Sequence, residues 1–356
     1  MEISLLVDIA QFAGALAALI LVHELGHFIA ARVLKIEVEE FGLGFPPRLI
    51  TLFTAWGTRF SLNLIPLGGF VRPKGENDPS VPGGLAAASP WVRLGVLAAG
   101  PIANLMVGVI LYAAIFSKIG VPVLDQVQII EVMPNSPAEQ AGLRPGDLIL
   151  RVNDQEIKST RALSENIYAH LDEPVQITYA RQDRQATVTL VPRSNPPQGE
   201  GAIGIVMSNP TRKVNVLTAI PTGIAAVYQH SRELLTFPIR MIQGQVSPQE
   251  GRLVGFKGMF DIYQNIQESE PPPNIPSGIN TLGFFATITI SLGLLNLLPI
   301  PALDGGRIMF ALPEILLRRR IPSQYENAIN LVSFALLLML LLFINLQDFV
   351  NPVTLP

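Results

Sequence analysis

Residues 5–33 read LLVDIAQFAGALAALILVHELGHFIAARV. The run is longer than the about 20 residues that cross a bilayer as a helix. It nevertheless holds His23, Glu24 and His27 in the pattern H-E-x-x-H. Helical residues four apart share a face, so both imidazoles can reach one ion. Glu24 falls about 100° round from His23 and about 60° from His27, at roughly 3.6 residues per turn. It can stand beside an ion without ligating it. Two helix-facing histidines beside a surface glutamate are the ordinary alternative. Ionisable groups within a span are costly and mark function, which argues against that alternative.

Three more runs approach span length: LGVLAAGPIANLMVGVILYAAIF at 94–116, TLGFFATITISLGLLNLLPI at 281–300 and AINLVSFALLLMLLLFI at 328–344. Over 356 residues, 49% are apolar and only 15% charged. A typical globular chain is about 25% charged, so few charges remain to cover a soluble surface. The composition predicts four membrane spans. The first run lacks a basic flank before it and is expected to stay as a span rather than be removed as a signal peptide.

The stretch between the first two runs carries Arg32, Lys35, Arg48, Arg59, Arg72, Lys74 and Arg93. The stretch after the third carries Arg307, Arg318, Arg319 and Arg320. The positive-inside rule puts both in the cytoplasm and both termini outside. Residues 214–228 are apolar but interrupted by Pro221. A fifth span there would spoil the charge pattern, so an interfacial amphipathic helix is expected.

Cysteine is absent and there are four histidines. Disulfides, thiolate metal sites and cysteine nucleophiles are excluded together. The net charge of −3 argues against a nucleic-acid partner. A metal must therefore sit on histidine and carboxylate. The third run leads into NLLPIPALDGGR at 296–307, where Asp304 is the one acid. An acid before two glycines is ordinarily a turn residue. The H-E-x-x-H pattern favours Asp304 as third ligand, with His23, His27 and a zinc ion that keeps a fourth position for water. Glu24 is then the base that takes the water's proton and passes it to the leaving amine.

Between the second and third runs, residues 125–209 alternate strand-like segments with turns. These are 127–132, 148–153, 174–180, 187–191 and 202–207, with one helical stretch at 159–170. His170 and His230 show no metal-ligand spacing and are expected to be exposed. ESEPPPNIPSG at 268–278 reads as an extended linker.

Taken together, HELGH at 23–27, FGLGFPPRL at 41–49, IPLGGFVRPKGE at 65–76, AAGPIANL at 98–105 and NLLPIPALDGGR at 296–307 resemble the site-2 protease family. The chain is most similar to its bacterial members with an extracytoplasmic PDZ domain. The resemblance implies zinc on His23, His27 and Asp304, Glu24 as base, and Asn296 as a substrate-positioning or oxyanion-stabilising residue. It also implies a membrane-associated β-hairpin near 58–72, whose edge takes an unwound substrate strand. NSPAEQAGLRPGD at 135–147 resembles a PDZ signature. In that domain Gly201, Ile203, Gly204 and Ile205 are the candidate peptide-binding loop, and Gly42-Leu43-Gly44-Phe45 is a decoy on the other side of the membrane. Whether the PDZ domain takes a peptide C-terminus or acts as a size filter stays open. The family's Gly-Pro motif before the third span is replaced by LVGFKG at 253–258, without proline.

The expected fold is a polytopic α-helical membrane protein of four transmembrane helices with an inserted extracytoplasmic α/β PDZ domain. Its divisions are 1–124, 125–209, 210–280 and 281–356. The expected function is a zinc intramembrane endopeptidase of the bacterial inner membrane. It would cleave transmembrane segments of single-span membrane proteins, such as anti-sigma factors or remnant signal peptides, within the lipid bilayer. The competing reading is a catalytically inactive PDZ membrane adaptor, which the complete ligand set and Glu24 disfavour. A zinc transporter would need polar residues across several spans.

Overall fold

The computed structural model describes residues 3–182, 184–247, 251–269, 276–319 and 321–352. In chain order the elements are α1 (Ile3–Val33), β1 (Val38–Ala55), β2 (Thr58–Pro73), α2 (Pro90–Ile119), β3 (Val121–Pro122), β4 (Val127–Val132), α3 (Pro137–Gln140), β5 (Leu148–Val152), β6 (Gln155–Glu156) and α4 (Thr160–Tyr168). They continue as β7 (Val175–Arg181), β8 (Arg184–Leu190), β9 (Ile205–Ser208), β10 (Thr211–Arg212), α5 (Val216–Ile242), α6 (Phe256–Glu268), α7 (Ile279–Leu297), α8 (Asp304–Leu317) and α9 (Ser323–Val350). The chain divides into two compact units. One holds residues 1–115 and 216–356, the other residues 116–215.

Four helices of the first unit, α1, α2, α7 and α9, are long and apolar enough to cross a membrane. At 1.5 Å per residue, the 31 residues of α1 reach about 46 Å, beyond a hydrocarbon core of about 30 Å. Apolar side chains face outward along them. Leu331 on α9 is 70% exposed and Leu342 is 64% exposed, which suits lipid rather than water.

The expected hairpin at 58–72 is larger than its sequence suggested. β1 precedes it, and both long strands bend so that each contributes two paired segments. Residues 48–55 pair antiparallel with 58–63. Residues 40–43 flank 59–62 on one side, the register rising in both, and 69–72 on the other. The order across the sheet is therefore 48–55, 58–63, 40–43, 69–72. Its edges are 48–55 and 69–72, and Phe60 and Ser61 lie inside. Glu40 is buried in this sheet, accepts a 2.7 Å hydrogen bond from the Ser61 hydroxyl and pairs with Arg48 and Arg72. Phe28, Ala31, Ile36, Val38, Phe41 and Val96 pack the base of the sheet against α1 and α2.

The third apolar run does not continue to Asp304. α7 ends at Leu297, where Pro299 and Pro301 cannot donate to a continuing helix. Asp304 then opens a separate helix, α8, which the sequence reading did not anticipate. Gly305 and Gly306 allow that corner, because a Cβ on either would lie 2.1 Å from the Leu298 carbonyl oxygen or 2.3 Å from that of Ile300. Arg307 pairs with Glu76 and Arg93 with Glu314, so two ion pairs hold α8 against the rest of the unit.

α5 is longer than the apolar run at 214–228. It carries Pro221 and Pro238 inside it and continues over the polar residues 229–233. Its Gly223 and Val227 lie against Val109 and Gly108 of α2. His230 is half-buried rather than exposed and shares a 3.1 Å hydrogen bond with Tyr112. His170 is half-buried as well, with Nδ1 2.9 Å from the Asn166 carbonyl oxygen. The proline-free segment at 253–258 opens α6, with Gly255 as its N-cap residue. The free N–H groups at that helix start are met from α9. Asp348 accepts from Gly255 and Gly258 at 2.8 and 3.0 Å, and Asn345 from Phe256 at 3.0 Å. Most of the expected linker at 268–278 lies outside the described residues.

In the second unit, β8-β7-β5-β4-β9 form one sheet, with β6 beside β5. β3 and β10 form a short separate pair. Alternate residues of β4 and β7 point inward, and a register shift in β5 spaces its buried pair by three: Val127, Ile129, Ile149, Val152, Val175 and Ile177 are each at most 2% exposed. Leu163 and Ile167 of α4 close the core, and Ser159 caps that helix by accepting from the Ala162 N–H at 3.1 Å. Asp147 is fully buried. It accepts from the Arg181 guanidinium twice at 2.7 Å and from the Arg144 N–H at 2.8 Å. Hydrogen bonding to Asp147 raises Arg181 above its ordinary pKa.

Candidate metal centre

His23 and His27 lie 10 and 6 residues before the end of α1, and Val96, Gly100 and Asn104 lie 6 to 14 residues after the start of the antiparallel α2. The two helices therefore bring these residues to the same level. Asp304, at the α7–α8 corner, completes a cluster of three donor atoms within 4.8 Å of one another. Nε2 of His23 and of His27 lie 3.1 and 3.3 Å from Asp304 Oδ2, and the two Nε2 atoms are 3.2 Å apart.

These separations test the fit to a metal. Zinc holds nitrogen and oxygen donors at about 2.0–2.2 Å in a tetrahedron, which sets the donors about 3.3–3.5 Å apart. The observed 3.1–3.3 Å leaves each pair close to that edge. Three donors at one triangular face leave the fourth position open.

The remaining polar atoms of the cluster are also held. His27 Nδ1 lies 2.8 Å from the Val96 carbonyl oxygen. A carbonyl only accepts, so that ring carries its proton on Nδ1 and presents a lone pair at Nε2. Gly100 makes room for the ring, since a Cβ there would lie 2.3 Å from His27 Nε2. His23 Nδ1 meets the Asn104 side-chain amide at 3.2 Å.

Glu24 makes no contact with Asp304 of the kind the histidines make. It faces the sheet: a Cβ on Gly69 would lie 3.3 Å from Glu24 Cγ. Among the described residues, the edge segment 69–72 pairs with β1 alone. Leu21, Val22 and Leu25 of α1 line an apolar cavity of about 390 Å³ with Phe41, Phe53 and Phe60 of the sheet.

Asn296, expected near the reacting groups, turns its amide back on its own helix and donates to the Leu292 carbonyl at 3.0 Å. In the second unit Gly201, Ile203 and Gly204 lie in the turn before β9 and Ile205 is its first residue, but their backbone is already engaged. Ile203 O accepts from Ala138, Gly204 O from Met133, and the Gly204 N–H donates to Gly201. Ile205 pairs with Val132. The outer edge of β9 has no strand partner among the described residues.

The sequence reading gave no role to Val96, Gly100 or Asn104. The last two lie in AAGPIANL, where glycine and asparagine interrupt an apolar helix, and that interruption was the available signal.

Two imidazoles from a helix of spanning length and a carboxylate at zinc spacing, with a glutamate alongside, have the make-up of a zinc metalloprotease centre. The comparisons agree: the model of peptidase family M50 matches residues 11–340, and the chain belongs to that family, the site-2 protease family, with zinc as its cofactor. A Clostridium perfringens protein provisionally named a zinc metalloprotease is 31% identical over 341 residues, 95% of this chain and 97% of its own. The zinc metalloprotease RasP of Geobacillus kaustophilus is 27% identical, covering 96% and 97%. Among solved structures, the PDZ domain of the SdrC-like protein of Listeria monocytogenes is 25% identical over 23% of this chain and 87% of that one, with a TM-score of 0.21.

Proposed function

We propose that this metalloprotease cuts the transmembrane segments of single-span membrane proteins, in regulated intramembrane proteolysis. The observation that carries the reading is the position of Glu24, between the donor cluster and the edge segment 69–72. A peptide bond within a helix is shielded by its own hydrogen bonds. A substrate must be locally unwound before water can attack, and an unwound strand can add to a free sheet edge. His23, His27 and Asp304 would hold zinc, which when bound would supply Lewis-acid activation of water and carbonyl. Glu24 accepts the water's proton and passes it to the leaving amine as the C–N bond breaks. Asn296 stabilises the oxyanion once its amide turns away from Leu292.

The basic residues between the first two spans and those at 307–319 support a cytoplasmic side for the sheet and a site near that face. For a protein of a bacterial inner membrane, both termini and residues 125–209 then lie outside the cytoplasm. We read 125–209 as a PDZ domain. The unpartnered edge of β9 supports strand addition of a peptide C-terminus, and a size filter is the other role open to the domain. By family resemblance, anti-sigma factors and remnant signal peptides are the substrates we expect.

The test is cleavage of a purified single-span substrate in detergent with zinc. Glu24→Gln should lose about 10²-fold or more of the rate, the range of general acid–base catalysis. Equal cleavage by both proteins would refute the mechanism.

A further inference from the structure

Each zinc-facing histidine has a second ring nitrogen, and the partner of that nitrogen fixes the ring's proton. For His27 the partner is a carbonyl, which leaves one outcome. For His23 it is the amide of Asn104, which can present either an acceptor or a donor. Asn104 Nδ2 lies 3.2 Å from His23 Nδ1, while its Oδ1 is buried with no partner. Nδ2 can donate only to a lone pair on Nδ1. The ring proton would then sit on Nε2, the atom directed at Asp304 and His27, and that ring could not give Nε2 to a metal.

Turning the amide over exchanges oxygen and nitrogen in nearly the same volume. Oδ1 then accepts from Nδ1–H, and Nε2 keeps its lone pair. Either orientation leaves one amide atom without a protein partner, so the choice falls to His23. The amide is otherwise firmly placed. Asn104 is fully buried, its backbone carbonyl accepts from the Thr289 hydroxyl at 3.2 Å, and Gly293 lets α7 close on it, since a Cβ there would lie 3.2 Å from Asn104 Cβ.

We propose that Asn104 is a positioning residue that accepts from His23 Nδ1–H through Oδ1 and so holds His23 in the tautomer that binds zinc. This rests on His23 and His27 being zinc ligands.

The experiment measures zinc affinity by chelator competition, together with the rise in melting temperature on adding zinc to metal-stripped full-length protein. Asn104→Leu should weaken zinc binding about 10–100-fold, the usual effect of losing such a partner, and should shrink the zinc-dependent rise. Asn104→Ala serves in its place if leucine is not accepted. Asn104→Asp, whose ionised carboxylate can only accept, should keep wild-type affinity at a pH where it is ionised. Wild-type affinity in Asn104→Leu would overturn the proposal. So would Asn104→Asp binding as weakly as Asn104→Leu, or a loss of stability in Asn104→Leu that is equal with and without zinc. His23→Ala separates the two ideas. If it loses zinc while Asn104→Leu does not, the Asn104 role alone fails; if it retains zinc, the ligand assignment fails with it.

Discussion

The two compact units of this chain differ in how much polar side chain they bury beside their apolar residues. In the α/β unit the interior is aliphatic: Val127, Ile129, Val175 and Ile177 are all fully buried. In the helical unit α9 buries almost no apolar side chain, and Leu331 and Leu342 point outward. The helical unit packs an apolar cluster around Phe28, Phe41 and Val96, but it also buries His23, His27, Glu40, Thr58, Ser61, Asn63, Asn104 and Thr289. One unit is organised by removing apolar surface from water. In the other, lipid accepts apolar surface on the outside, and polar residues inside must find one another. Apolar periodicity is thus informative about the first, and misplaced polar residues about the second.

The contrast can be broken at several points. Gly100→Ala should have the largest effect. The new Cβ meets His27 Nε2 at 2.3 Å, so zinc binding should fall below detection by metal analysis. Hydrogen exchange in the α/β unit should not change. Asp147→Ala should act in the reverse sense: it leaves the Arg144 N–H and the part-exposed Arg181 without their acceptor and costs about 1–3 kcal/mol. Faster exchange of the β5 and β7 amides, with zinc content intact, is the expected result. Next, Ile177→Ala in the aliphatic core should cost about 2–5 kcal/mol. Leu331→Ala on α9 should stay within about 0.5 kcal/mol in detergent unfolding. Comparable losses for the two would show that α9 packs as a core helix. Ser159→Ala should fall between those two, since removing the α4 cap costs about 1 kcal/mol, seen as faster exchange in the first turn of that helix.

The α/β unit was legible because its strands alternate and its turns carry glycine. The expected strand at 127–132 matches β4 residue for residue, and Ser159 marks the start of α4. The donor cluster was legible because H-E-x-x-H fixes two ligands on one face and Asp304 is the one acid near the third span. Three features were not. β1 contains Gly42, Gly44, Pro46 and Pro47, which mask any alternation, so the sheet's first strand went unseen. α8 begins with two glycines whose purpose is close packing and not a turn. Asn104 is one polar residue in an apolar string, and its significance comes from the contact with His23, 81 residues away in sequence. Asn296 shows the converse, since its motif suggested a role and its amide instead bonds its own helix.

The account stands or falls on three donors that come from two distant parts of the chain. Zinc should be measured by metal analysis of purified protein, comparing wild type, His23→Ala, Asp304→Ala and the double variant. One zinc per chain in the wild type and essentially none in the double variant is the predicted result. One zinc per chain surviving the loss of both His23 and Asp304 would contradict it.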